Sequence, residues 1–167
     1  MIIIKKITWD QILPIWQEHL TDMSPEPTSA MTLIYDRVWD DNPISPRWID
    51  KQVYDLKNME FTPTFWGAFN NDKLVGVNSG HMCLHKLYRS RGLFVLPEHR
   101  NLQIAQKLLM KTISQAKHEG AIACWSFPKN TVINVYFQQG FKNRGNRFFF
   151  SYIEKNEGDD SVRNIKA

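Results

Sequence analysis

Hydrophobic positions recur at intervals of three and four through residues 102–116. Leu102, Ala105, Leu108, Leu109, Thr112, Ile113 and Ala116 fall on one helical face, and Gln103, Gln106, Lys107, Lys111 and Lys117 on the other. Gly120 supplies a left-handed stop. Residues 92–96 read as a buried strand and 97–101 as a tight connection. The apolar run 121–127 reads as a second strand covered on both faces. Strand, helix and strand with short links make a βαβ unit, so the two strands are expected to be parallel. The strand-to-helix turn gathers unpaired backbone N–H groups at a positive helix end, a seat for phosphate.

The remaining pattern fits around that unit. Residues 2–7 predict a strand, and Thr8 with Gln11 predicts a capping box opening a helix. Ile12, Ile15, Trp16, His19 and Leu20 stripe this helix, and Pro14 bends its early turn. After a Pro-containing break at 21–28, helices are expected over 29–39 and 45–57, the second with Ser45 as N-cap and Pro46 at its first position. Residues 61–69 and 73–82 predict a hairpin across Asn70-Asn71-Asp72, and 84–90 a bend toward the central strand. A short helix over 130–139 ends at Gly140, and 141–143 pairs with 147–154 across Arg144-Gly145-Asn146. The result is one α+β domain over 1–154, with a polar tail, 155–167, expected to be disordered.

Composition narrows the class of protein. At 167 residues the chain is the size of one domain, and 43% hydrophobic with 23% charged residues is ordinary for a soluble globular protein. The net charge of +4 is scattered rather than gathered on one face, which argues against a nucleic-acid partner and suits a polyanionic cofactor. Cys83 and Cys124 sit in apolar strand patterns without metal-ligand spacing, so reduced core thiols, a cytoplasmic location and no metal are expected. The apolar start at 2–4 precedes Lys5-Lys6, the wrong order for a signal peptide, and no run approaches the ~20 residues of a membrane span.

The turn residues then suggest a family. Val95-Leu96-Pro97-Glu98-His99-Arg100-Asn101-Leu102-Gln103-Ile104-Ala105 resembles the acyl-coenzyme A loop of the GNAT N-acetyltransferases, V-x-P-x-x-R-x-x-G-x-G/A. Val95, Pro97, Arg100 and Ala105 match, Leu108-Leu109 fall where the family has paired leucines, and Gln103 stands in a glycine slot. Val135-Tyr136-Phe137-Gln138-Gln139-Gly140-Phe141 resembles the family's closing motif, with Tyr136, Gly140 and Phe141 aligned. The resemblance implies the acyl-CoA N-acyltransferase fold: a mixed sheet of six to seven strands flanked by helices, with a splayed parallel pair at the cofactor site. It implies acetyl-CoA as co-substrate, its arm against Phe94 and Val95 and its pyrophosphate on the backbone of Arg100, Asn101, Leu102, Gln103, Ile104 and Ala105, with Asn130 and Tyr136 as further contacts. A right-handed first turn would let Gln103 swing its side chain outward.

The implied reaction is direct attack of a primary amine on the thioester, with the oxyanion on the Val95 N–H and Tyr136 protonating the departing thiolate. The family's strand carboxylate is missing from Arg89-Ser90-Arg91-Gly92, which leaves His81, His85 and Glu60 as candidate bases, His81 foremost. Tyr35, Trp39 and Trp48 with Asp36, Asp40, Asp41, Asp50 and Asp55 suit a cationic amine, whereas Arg89 and Arg91 suit an acceptor bearing a carboxylate or phosphate. Acceptors of either kind, small molecules or protein amines, remain open. So does a non-catalytic GNAT-like module that binds coenzyme A or another protein. Strands near Phe148-Phe149-Phe150, read as exposed, admit a homodimer.

Overall fold

The computed structural model describes residues 1–18, 54, 56, 59–100 and 103–154. The helices expected over 29–39 and 45–57, the acidic and aromatic residues Tyr35 to Asp50, Asp55 and the tail 155–167 lie outside these residues. Seven strands form one sheet: β1 (Ile2–Ile7), β2 (Thr64–Asn70), β3 (Lys73–Met82), β4 (Leu87–Val95), β5 (Ala123–Ser126), β6 (Lys142–Asn143) and β7 (Phe149–Tyr152). Their spatial order is β1-β2-β3-β4-β5-β7-β6, and every pairing is antiparallel except β4 with β5.

Helix α1 (Trp9–Glu18) opens on the expected capping box: the Thr8 N–H donates to Gln11 Oε1 at 2.9 Å and the Gln11 N–H to Thr8 Oγ1 at 3.3 Å. Helix α2 (Ile104–His118) crosses from β4 to β5 and buries Ile104, Leu108, Leu109, Thr112 and Ala116. It ends in a Schellman arrangement, with the Ala121 N–H on the Ala116 carbonyl and Gly120 at φ +87°. Helix α3 (Ile133–Gln138) is shorter than the 130–139 expected.

The central strand is longer than its apolar residues suggest. Residues 84–90 were expected to bend, but only Leu84–Lys86 does so, as a 3-10 turn, and β4 then runs from Leu87. Arg89, Ser90 and Arg91, outside the strand expected at 92–96, are all buried within the sheet. Phe149 is likewise fully buried, so the 148–150 segment is not the exposed edge its pattern implied. Cys83 and Cys124 are buried thiols not joined in a disulfide, and burial pushes Cys124 up to about 12.

Gly92 is the turning point of β4. Between Phe94↔Val77 and Arg91↔Ser79, β4 carries one more residue than β3, a β-bulge with Gly92 at φ +78°. The Gly92 carbonyl, bent out of the ladder, accepts Trp16 Nε1–H from α1 at 3.0 Å. Trp16 is locked in turn by Trp9, Tyr54 and Phe65, with ring centroids 5.6–6.3 Å apart within the group. A Cβ on Gly92 would meet the Trp16 ring at 2.5 Å. Gly92→Ala combines that clash with a positive φ, and is expected to lower stability by about 2–4 kcal/mol. Urea unfolding should show a lower midpoint at unchanged slope.

Candidate active site

The parallel ladder between β4 and β5 is three residues long, from Leu87↔Ala123 to Arg89↔Trp125. At the next position a side chain takes over from the backbone: Ser126 Oγ–H donates to the Ser90 carbonyl at 2.8 Å. Past this point the Gly92 bulge carries β4 away, and the strands part. The fork opens into a cleft of about 350 Å³. Leu93, Phe94 and Val95 form one wall, the first turn of α2 the second, and Thr131, Val132 and Val135 the third. The Leu96 N–H bonds Val75 on the β3 side, so strand alternation turns the main chain of Val95 toward the cleft. Its carbonyl accepts Arg100 Nε–H at 2.9 Å, and the guanidinium lies 5.4 Å from the Phe94 ring centroid.

The α2 end of this cleft presents hydrogen-bond donors. Gln103, Ile104, Ala105 and Gln106 all line it, and their N–H groups begin a helix that has no side-chain cap. His99 and Arg100 line the same end, and among the described residues no carboxylate does. Asn101 and Leu102 lie outside the described residues. Gln103 departs from expectation: it sits at φ 58°, ψ 21°, left-handed, not in a right-handed first turn. That conformation explains why glycine suits this slot, because a β-carbon there is strained.

Tyr136 lies at the floor of the fork and is 1% exposed. Its hydroxyl is 2.7 Å from Ser90 Oγ on β4 and 3.2 Å from Ser126 Oγ on β5. Its ring packs edge-on against Phe141 at 5.0 Å. Burial raises the Tyr136 pKa, and the two serine hydrogen bonds work against that rise. Behind Ser90, Asn78 Nδ2–H donates to Ser90 Oγ at 3.0 Å and to Thr112 Oγ1 at 2.8 Å. Asn130 points elsewhere: its Oδ1 accepts the Arg147 guanidinium, and Thr131 and Val132 line the cleft instead.

His81 occupies the opposite face of the sheet, opposite Arg89 in the ladder and 0% exposed. Its Nδ1 is 3.1 Å from the Met82 carbonyl, which makes Nδ1 the protonated nitrogen. Burial first, then the positive charge of Arg89, lowers its pKa to about 3. The Arg89 guanidinium lies over the Trp125 ring, 4.5 Å from its centroid. The structure brings Phe94, Val95, Arg100, Gln103, Ile104 and Ala105 together in the lining of one cleft, while Tyr136 is outside that lining, buried where the β4–β5 ladder ends. It does not bring Asn130 or His81 to that cleft. Sequence reasoning missed Asn78, Ser90, Ser126 and Trp16. The available signal was small polar residues inside otherwise apolar strands.

A seven-stranded sheet forked at one parallel pair, with an uncapped helix end across the gap, defines an acyl-coenzyme A transferase type of fold. The family model described as acetyltransferase (GNAT) family matches residues 30–141, and the chain belongs to that family. Solved structures agree on the fold. An acetyltransferase of the GNAT family from Staphylococcus aureus Mu50 superposes with a TM-score of 0.60 at 21% identity, covering 92% of this chain and all of that one. A Brucella melitensis GNAT family acetyltransferase, in complex with acetyl-CoA, gives 0.61 at 17% identity over 93% of this chain and 90% of its own. The PaiA N-acetyltransferase from Thermoplasma acidophilum, in complex with coenzyme A, gives 0.59 at 18% over 93% and 99%. No curated protein matches the chain.

Two measurements follow from this geometry. Gln103→Gly removes a left-handed β-carbon and should stabilise the fold by about 0.5–1 kcal/mol, read as a higher urea midpoint. His81 stays neutral when folded down to about pH 3, whereas the unfolded chain protonates it near 6.5. Its contribution is therefore full above pH 6.5 and lost as pH falls toward 3, at up to about 1.4 kcal/mol per pH unit. Replacing it by His81→Phe should flatten the wild-type stability profile across that window.

Proposed function

We propose that this chain is an acetyl-CoA-dependent N-acetyltransferase that acylates a primary amine by direct attack on the thioester. The observation that carries the reading is the fork itself, with its anion-binding helix end at one side and a buried phenol at its floor. The cofactor's fit rests on this chain's own groups. The first-turn N–H groups of α2, with Arg100 and His99, would hold its phosphates, and the main chain of Val95 would pair with its arm. Acetyl-CoA supplies a thioester carbonyl that a neutral amine can attack. The Val95 N–H receives the developing oxyanion, and Tyr136 gives its proton to the departing sulfur.

We assign His81 no proton-transfer role, because a group with a pKa near 3 is a weak acceptor for an ammonium proton. The amine then enters in its neutral form from solvent. Two buried cysteines not joined in a disulfide suit a cytoplasmic setting, and no described helix is long and apolar enough to cross a membrane. A non-catalytic coenzyme A-binding module is the second reading. It draws on the missing strand carboxylate and on the strained residue in the glycine slot.

Acetyl-CoA at 100 times its Kd should stabilise the fold by about 2.7 kcal/mol, and no thermal shift at millimolar concentration removes both readings. Given binding, a panel of primary amines separates them: acetyl transfer supports the enzyme, and its complete absence supports the module. Tyr136→Phe should slow transfer by about 10²-fold with cofactor affinity nearly unchanged.

A further inference from the structure

The polar side chains beneath the fork form a directed set. Asn78 Nδ2 has two protons, and they go to Ser90 Oγ at 3.0 Å and Thr112 Oγ1 at 2.8 Å. Thr112 passes its own proton to the Leu108 carbonyl at 3.0 Å. Ser90 Oγ, already an acceptor, has one proton to give, and Tyr136 Oη lies 2.7 Å away. Ser126 Oγ–H is shared between the Ser90 carbonyl at 2.8 Å and Tyr136 Oη at 3.2 Å. With Ser90 donating, the phenol oxygen receives from both strands. Its own proton is the one hydroxyl hydrogen of this set that no member accepts. Turning the Ser90–Tyr136 bond around would strand the Ser90 proton instead. Asn78 Oδ1 has no partner among the described residues, and flipping the amide to use it would leave two buried N–H donors unmet.

We propose that Ser90, oriented by Asn78, is a positioning residue that directs the Tyr136 proton into the fork and holds the phenolate oxygen left behind. The proposal rests on the reading of Tyr136 as the proton donor to the departing sulfur. In that step the carbon–sulfur bond breaks with its electron pair going to sulfur. Sulfur then takes the Tyr136 proton, and the phenolate keeps two hydroxyl donors, Ser90 and Ser126. The proton shed by the acylated nitrogen returns, through solvent, to Tyr136. An isolated buried phenol is a poor acid, and two donors aimed at its oxygen correct that while fixing its orientation. Asn78 donates rather than accepts, so Ser90 is never left to take the tyrosine's proton.

The test uses acetyl-CoA with hydroxylamine as a small acceptor, following thiol release above the uncatalysed background. Ser90→Ala should lower kcat about tenfold, with KM for acetyl-CoA and the Kd of coenzyme A within about twofold. Ser90→Thr, which keeps the hydroxyl, should retain most of the rate. In a Tyr136→Phe background Ser90→Ala should cost nothing further, because the group it positions is gone. Equal losses in both backgrounds would mark Ser90 as a packing residue and overturn the proposal. Should Ser90→Ala not fold, the near-isosteric and weaker donor Ser90→Cys must show the same kcat loss, and an unchanged kcat overturns it equally. Absence of transfer by the wild type, or full turnover by Tyr136→Phe, instead locates the failure in the Tyr136 reading and takes this proposal with it.

Discussion

A carbonyl that β4 withholds from its sheet goes to an indole from α1. The Trp16–Gly92 bond and the bulge that permits it decide where the parallel ladder stops. Had β4 run straight, its backbone would have continued to pair with β5, and the seam would be closed by main-chain hydrogen bonds. Instead the ladder ends after three residue pairs, and strand backbone with no strand beside it faces a cleft. Only glycine fits the bulge, since the indole occupies the space of a β-carbon. The aromatic group around Trp16 is therefore part of the site, although none of its rings lines the cleft.

Opening a sheet in its middle exposes polar backbone that must find partners. Near the end of the ladder the partners are hydroxyls: Ser126 caps the Ser90 carbonyl, and the oxygens of Ser90 and Ser126 both lie within hydrogen-bond distance of the Tyr136 hydroxyl. Farther along, Arg100 reaches back to the Val95 carbonyl. The two faces of β4 are correspondingly unlike. Ser90 faces α2 and α3 among neutral donors and acceptors. Arg89 lies over Trp125, and the neutral His81 stands opposite it in the ladder. Neutral and cationic chemistry are separated by the thickness of one strand.

Much of this was legible in the sequence. The helix Ile104–His118, its Gly120 stop and the strand after it follow from hydrophobic period, whereas the residues of β4 that make the parallel ladder, Leu87–Arg89, fell in the segment read as a bend. Cofactor contacts at Phe94, Val95, Arg100 and Gln103 to Ala105 came from the resemblance, and these residues do meet at one cleft. What could not be read depends on distant partners. Leu87 to Arg91 was not read as part of the central strand, because burial of Arg89 is stabilised by an aromatic ring 36 residues away in sequence. His81 was chosen for its intrinsic pKa, which burial and Arg89 then lower. The Gln103 backbone was expected in the commoner helical region, and only the loop's closure shows that this slot is left-handed.

The bonds that define the fork are all distant in sequence. Trp16 and Gly92 are 76 positions apart, Ser90 and Tyr136 46, and Ser90 and Ser126 36. Loop closure makes such contacts slow to form compared with the β2–β3 hairpin or the turns of α2. The cleft therefore cannot exist in any fragment that lacks either end of the domain. A chain still emerging from its synthesis has the residues of α2 before it has the fork. Competence to bind the full cofactor then appears with the last third of the sequence, as a property of completed topology rather than of the motif that announces it.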